Sequence, residues 1–598
     1  MSTENQPTAA QSGPHASEAV NEKAWLKHYS EWTSPEIDVD TLFGPGASGD
    51  TTSTSRTLVD IFDNAVKEFA DVPAFTFFGK STTYKEYGTL VDRAIAALRA
   101  AGVSKGDFVA IVAPNSPQTL IAFYATLCVG AVPALHNPLY TSSELKVPFN
   151  NHKARVGFFW EKANKIACEL KKDTPLETVI DINLIDSMPR LQRFALSLPL
   201  PIPALKAAKA KLSAPTKSSM SFEDFLRQGK GKSTEKEKVN PRDPALILYT
   251  SGTTGTPKGA LLNHMNLVSN LEQGREWVQD LGVGRTEKMM AALPIFHAYG
   301  LTMNITMAPA IGGTIQLLPA PEMDLILKLM KTDCPTWLPG VPTLYEKIMD
   351  TAEEKNVSLK GIRNSFSGAS SLPVATVKRW EEMTGGNIVE GYGLTETSPI
   401  ICGNPMGNGR EGYIGVPFPS TEVRIGDPED PTLTMPDGEP GELMVRGPQV
   451  FSGYLDMTKA TQEAFCDDWF LTGDMAVMES DGFIKIVSRI KEMIITGGFN
   501  IYPAEVEAVL REHDAVAHAS VVGLDREDGS ETVCAALVLA EGKKLDDSLK
   551  AELKEFCREK LTRYKVPRIY EQFDELPSDQ LGKVRRGEVK EMVAERLK

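Results

Sequence analysis

Leu248-Tyr249-Thr250-Ser251-Gly252-Thr253-Thr254-Gly255-Thr256-Pro257-Lys258-Gly259 packs hydroxyls, glycines and one lysine into a loop directly behind the apolar run Ala245-Leu246-Ile247-Leu248. Such a loop suits a polyphosphate. Glycines let backbone N–H groups close around anionic oxygens, hydroxyls add donors and the lysine adds charge. A P-loop is the first comparison, and it fails. Counting from Gly252, Pro257 stands where the second glycine belongs, and Gly259 stands where Ser or Thr should follow Lys258. A solvated linker has the same general composition, so the loop is read together with the rest of the chain.

Six hundred residues less two exceed a single ordinary core, and two or more domains are expected over the 598 positions. With 42% hydrophobic and 24% charged residues the chain is of the soluble globular kind. A formal net charge of −15 argues against nucleic acid as a partner held by bulk electrostatics. Seven scattered cysteines without a C-x-x-C pair fit reduced thiols and a cytoplasmic location. The first 24 residues read as a disordered tail without a secretory signal. Two long uncharged stretches, Thr119 to Leu135 and Met289 to Pro321, are interrupted by glycine and proline, so buried helix–strand units are expected there rather than membrane spans.

Working outward from the loop, helical and extended patterns alternate. Leu58–Phe69 and Tyr84–Ala101 have helical spacing, Pro73–Phe78 and Phe108–Val112 read as strands, and Thr314–Leu318 precedes a helix at Met323–Met330. That rhythm predicts an α/β fold with largely parallel sheets. Near residue 440 it changes to short β runs at Gly441–Arg446, Trp469–Thr472 and Phe483–Val487. A smaller α+β segment follows, with helices at Ala504–Arg511 and Leu549–Leu561 and strands at Ala519–Val522 and Val533–Leu539. The expected division is a large domain over 25–489, including a β-rich subdomain, and a small mobile domain over 490–598. Between Pro189 and Lys217 lie six basic residues, no acidic one, and interleaved leucines. This composition suits peripheral contact with an anionic membrane, and equally a surface excursion packed on its own body.

Four further segments carry chemistry. Gly391-Tyr392-Gly393-Leu394-Thr395-Glu396-Thr397 follows the strand Ile388-Val389-Glu390; Leu471-Thr472-Gly473-Asp474 precedes Ser488-Arg489-Ile490-Lys491; Gly497-Gly498-Phe499-Asn500 comes next; Gly582-Lys583 lies near the C-terminus. Alone, the glycine-containing pieces read as turns, and Glu396 and Lys583 as solvated charges. Together with the opening loop they resemble the acyl-adenylate-forming superfamily, which includes acyl-CoA synthetases, peptide-synthetase adenylation domains and firefly-type luciferases. The likeness runs from about Leu58 to Val589.

The resemblance implies ATP, Mg²⁺ and coenzyme A. It assigns the β- and γ-phosphates to Thr250, Ser251, Gly252, Thr253, Thr254, Gly255 and Lys258, and adenine stacking to Tyr392 between Gly391 and Gly393. Thr395 contacts the α-phosphate, Glu396 with Thr250 holds Mg²⁺, and Asp474 with Arg489 holds the ribose. Lys583 bridges the substrate carboxylate and the α-phosphate, Lys491 matches the hinge residue, and Gly497 and Gly498 line the pantetheine path. The chemistry agrees: Mg²⁺ takes few carboxylates plus phosphate oxygens, one carboxylate accepts from two ribose hydroxyls, and a dry ammonium stabilises two converging anions. Two positions depart from the pattern: Arg585 replaces an apolar residue, and Gly587 stands where a second arginine is common.

For the acid, Asn137-Pro138-Leu139-Tyr140-Thr141 and the opening Trp25…Tyr29…Ile37-Asp38 resemble bacterial long-chain fatty-acid–CoA ligases. His297, in Pro294-Ile295-Phe296-His297-Ala298-Tyr299-Gly300, joins the catalytic set as a pocket wall or gate rather than a general base. The uncharged run Met289 to Pro321 fits an acyl tunnel or an ordinary core. The expected reaction joins a long-chain fatty acid to AMP and then to CoA. The alternatives are an acyl-AMP ligase loading a carrier protein and an inactive fatty-acid-binding relative.

Overall fold

A computed structural model of the chain describes residues 37, 42, 56–198, 202–250, 256–278, 281–406, 408–496, 499–526, 531–579 and 583–597. The N-terminal tail, the Trp25…Tyr29 signature, Ser251 to Gly255, Gly497, Gly498 and Gly582 lie outside the described residues. The chain divides into two units, Thr33–Thr421 with Arg446–Phe465, and Glu422–Val445 with Cys466–Lys598.

The larger unit is an α/β structure built on two sheets. In the seven-stranded sheet the order is Met220–Ser221, Thr178–Ile182, Val156–Trp160, Phe108–Val112, Val132–Leu135, Pro244–Thr250 and Lys258–Asn263. All neighbours are parallel except the last pair, an antiparallel hairpin that sets Thr250 opposite Lys258. Strand register alone thus brings Thr250 and Lys258, at the two ends of the phosphate motif, together.

The nine-stranded sheet has a parallel centre that includes Lys288–Ala291, Trp337–Gly340, Asn364–Ser367 and Asn387–Gly393. Asn387–Gly393 then pairs antiparallel with Ile400–Gly403.

Both uncharged stretches are interior. Thr119 to Leu135 forms the helix Pro117–Cys128, with every residue buried, and the strand Val132–Leu135. Ser116 caps the helix by accepting from the Thr119 N–H, and Pro117 starts it. Met289 to Pro321 becomes a strand, a π-helical turn at Leu301–Thr306, the short helix Met307–Ile311 and the strand Thr314–Leu317. Among the described residues no helix is long and apolar enough to cross a membrane.

In the smaller unit, Gly441–Arg446, Trp469–Met478 and Ile484–Arg489 form an antiparallel sheet. The middle strand is longer than its pattern predicts. Gly473, at φ 73°, interrupts the alternation without ending the strand. Beyond it, Val516–Asp525, Glu531–Leu539 and Ile569–Gln572 form a three-stranded sheet. Val506, Leu510, Val521, Ala535 and Leu553 make its core, joining the helices Pro503–Arg511 and Asp547–Lys560 to the sheet.

Candidate active site

In the larger unit the hairpin end meets the Gly391–Thr397 segment. The Thr250 hydroxyl lies 3.5 Å from Glu396 Oε1. That same oxygen accepts a 2.9 Å hydrogen bond from the Tyr454 hydroxyl. Burial and the neighbouring Glu396 carboxylate hold the Tyr454 pKa well up, so the phenol stays a donor. Lys258 Nζ sits 5.1 Å from the centroid of the Tyr454 ring, within cation–π range. Tyr454 thus links the two motifs, although no reading of the sequence had singled it out. Its one visible signal is Gly453, at φ 148°, where a Cβ would meet Thr461 at 2.5 Å.

Behind the loop, Tyr249 is braced. Its hydroxyl donates to Asn151 Oδ1 at 2.7 Å, and its ring stacks on His136 with centroids 5.5 Å apart. His136 and His152 meet Nε2 to Nε2 at 3.0 Å. Burial keeps both neutral, lowering His136 to about 3. His152 Nδ1 accepts from the Ala154 N–H, so its Nε2 carries the proton and donates to His136.

Glu390, one residue before the motif, is a buried carboxyl that desolvation raises to about 8. Gly391 and Gly393 serve close approach. A Cβ at Gly391 would strike the Phe366 ring at 2.2 Å, and one at Gly393 would strike the Pro399 carbonyl at 1.8 Å. Tyr392 is half-buried on the strand, and Thr395 opens the turn that carries Glu396.

His297 caps the helix Ala298–Gly300, its Nδ1 accepting from the Tyr299 N–H at 3.3 Å. Asn115 fixes the segment before it. The Asn115 amide donates to Ala291 O at 3.0 Å and Leu293 O at 2.8 Å, while Oδ1 accepts from Ile295 N at 2.8 Å. The end of the uncharged run, at Leu317, Leu318 and Pro319, borders a cavity of about 240 Å³ that Phe78, Leu325 and Leu329 also line.

In the smaller unit, the strand register sets Asp474 opposite Arg489. Asp474 is buried, and Arg489 Nε reaches its Oδ1 at 2.9 Å. Lys583 stands in the same electrostatic field. Burial and then Arg489 lower its pKa, against the pull of Asp474 and Glu492. Three residues on, Arg586 forks onto Glu507 at 2.7 and 2.9 Å and also pairs with Glu492. Asp474, Arg489 and Lys583, far apart in sequence, are thus brought together.

The oxygen donors Thr250 and Glu396 fit a hard divalent cation such as Mg²⁺. Among the described residues no three His, Cys, Asp or Glu side chains gather as a metal cage. A cation at Glu396 would therefore complete its shell with substrate oxygens and water.

Fold and motifs together define an adenylate-forming enzyme. The AMP-binding enzyme family matches residues 62–455, and the AMP-binding enzyme C-terminal domain matches 505–583. The chain belongs to this family. It is similar to a long-chain-fatty-acid–CoA ligase of Bacillus subtilis, with 35% identity covering 95% of this chain and 97% of the relative. A ligase of the same name from Yersinia pestis is also 35% identical, covering 95% and 98%. Among solved structures, ATP-bound MatB from Rhodopseudomonas palustris superposes with a TM-score of 0.74 at 27% identity, covering 90% of this chain and all of that one.

Proposed function

We propose that the chain is a long-chain fatty-acid–CoA ligase working in the cytoplasm. It joins a fatty acid to AMP with release of pyrophosphate, then transfers the acyl group to the CoA thiol. The observation that carries this reading is end-to-end similarity to ligases of that name, at 35% identity over 95% of the chain. All seven cysteines are free thiols, in keeping with the location.

In the first step a carboxylate oxygen attacks the α-phosphorus and the bond to the pyrophosphate oxygen breaks. Lys258, Thr250 and the glycine loop bind the departing phosphates; Asp474 with Arg489 orients the ribose; Tyr392 packs on adenine. Mg²⁺ held by Glu396 and Thr250 would neutralise phosphate charge. The role of Lys583 is to offset, with its ammonium, the repulsion between the carboxylate and the α-phosphate as they converge. In the second step the CoA sulfur attacks the acyl carbon and AMP leaves. A swing about Lys491, which lies within the smaller unit rather than at its edge, would let the segment that carries Lys583 withdraw so that Gly497 and Gly498 could line the thiol path.

The test is pyrophosphate release with ATP and fatty acids of increasing length, each run with CoA and with a holo-carrier protein. Each buried methylene adds about 0.8 kcal/mol, so kcat/KM should climb roughly fourfold per carbon until the pocket ends. A feruloyl-CoA synthase of Amycolatopsis is 32% identical over 86% of this chain, so cinnamic acids belong in the series. Preference for an aromatic acid, or for the carrier protein, would overturn the reading.

A further inference from the structure

We infer that the two helices Arg190–Ser197 and Pro203–Leu212 form a docking surface for an anionic lipid bilayer. The helices contact each other and are tied to the body from behind. Leu196 is buried, Gln192 Nε2 donates to the Phe78 carbonyl at 3.3 Å, and Trp160 Nε1 donates to the Leu212 carbonyl at 3.1 Å. The apolar face points the other way. Leu191, Phe194 and Leu198 recur at helical spacing, and Leu191 is 84% and Phe194 62% exposed. Ile202 is exposed as well, and no residue of the second helix is buried. A surface excursion packed on its own body would have turned these side chains inward.

The charges select the occupant. Six basic and no acidic residues lie between Pro189 and Lys217, in a chain of formal net charge −15. Arg193 pairs with Asp186 and Lys211 with Glu322, both at 3.0 Å. Arg190, Lys206 and Lys209 are exposed and make no ion pair among the described residues. Separate protruding apolar side chains among unneutralised cations suit a fluid acyl layer under anionic headgroups, which requires no matching shape.

The test is co-sedimentation of the full chain with phosphatidylcholine vesicles, with and without phosphatidylglycerol, at rising salt. The variants are Arg190→Gln/Lys206→Gln/Lys209→Gln, Leu191→Ser/Phe194→Ser and the control Lys543→Gln/Lys544→Gln. A cation at an anionic surface is worth about fivefold in affinity, so the triple variant should bind anionic vesicles roughly a hundredfold more weakly. Losing two inserted side chains should cost tenfold or more. The control should bind like the parent chain, and all variants should keep pyrophosphate release on a soluble acid. Three results would each overturn the proposal: no sedimentation of the parent chain with anionic vesicles, equal binding by the triple variant, or capture by an acidic carrier protein but not by vesicles. Vesicle binding requires no turnover, so a wrong substrate assignment would leave this result standing.

Discussion

Replacing Arg586 by Met should loosen the small unit around Lys583 without touching the lysine. The guanidinium donates two parallel hydrogen bonds to Glu507, at 2.9 and 2.7 Å. Glu507 Oε1 also accepts from the Val521 N–H at 2.8 Å, so one carboxylate joins the helix Pro503–Arg511, the sheet and the start of the helix Arg586–Arg596. Burial works against the cation, yet Glu507 and Glu492 outweigh it and raise its pKa. Breaking a buried pair from one side costs about 3–5 kcal/mol, because the partner charge is left unpaired. Arg586 keeps 21% of its side chain in water against 9% for Glu507, which points to the low end, about 3 kcal/mol. Hydrogen–deuterium exchange of Val521 and its strand neighbours reads this locally, where whole-chain unfolding of a two-unit protein would not. Exchange there should speed up roughly a hundredfold, by the factor of ten per 1.4 kcal/mol. Adding Glu507→Gln removes the stranded charge and should recover at least tenfold of that loss. Unchanged exchange in Arg586→Met would refute the bracing role. No recovery in the double variant would mean that the cost is lost packing rather than unpaired charge.

Lys583→Ala should cripple adenylation yet spare thioester formation from supplied acyl-AMP; equal loss in both half-reactions would remove it from the first step. Because burial and Arg489 lower the Lys583 pKa, the charged form is lost as pH rises through a value below the usual lysine range. Adenylation should therefore show an alkaline limb that Lys583→Arg moves upward. Tyr454→Phe deletes a 2.9 Å hydrogen bond to the Glu396 carboxylate. A bond to a charged acceptor is worth about 1.5–3 kcal/mol, so pyrophosphate release should slow about tenfold to a hundredfold, with a higher Mg²⁺ requirement on titration. Glu390, raised from 4.5 to about 8, favours folding while protonated; that contribution is complete below about pH 4.5 and lost as pH rises through 8. The full swing is about 5 kcal/mol. Glu390→Gln should flatten the fall in urea resistance of the larger unit between those limits, and an unchanged slope would rule the residue out.

What could be read in the chain follows from how far apart the interacting residues lie. The phosphate loop was legible because its hydroxyls, glycines and lysine fall within twelve consecutive residues behind an apolar run, whereas the strand Lys258–Asn263 that pairs back on that run was not read. Asp474 and Arg489 were legible as two short motifs, and the strand register then paired them. Tyr454 was not, because it reaches Glu396 across 58 positions and nothing in Phe451-Ser452-Gly453-Tyr454 marks it as polar machinery. Asn115 acts across 176 to 180 positions, and Arg586 across 79 to Glu507. Periodicity carries no signal in Pro117–Cys128, where every face is buried, and there the glycine and proline that interrupt the uncharged stretch marked a buried helix–strand unit instead. A side chain's role shows in the sequence only where its environment is local or one-sided, and braces in an enzyme interior are neither. The same rule explains why the basic, apolar segment at 189–217 stood out in composition: Leu191, Phe194, Arg190, Lys206 and Lys209 face solvent, so composition already states much of their environment.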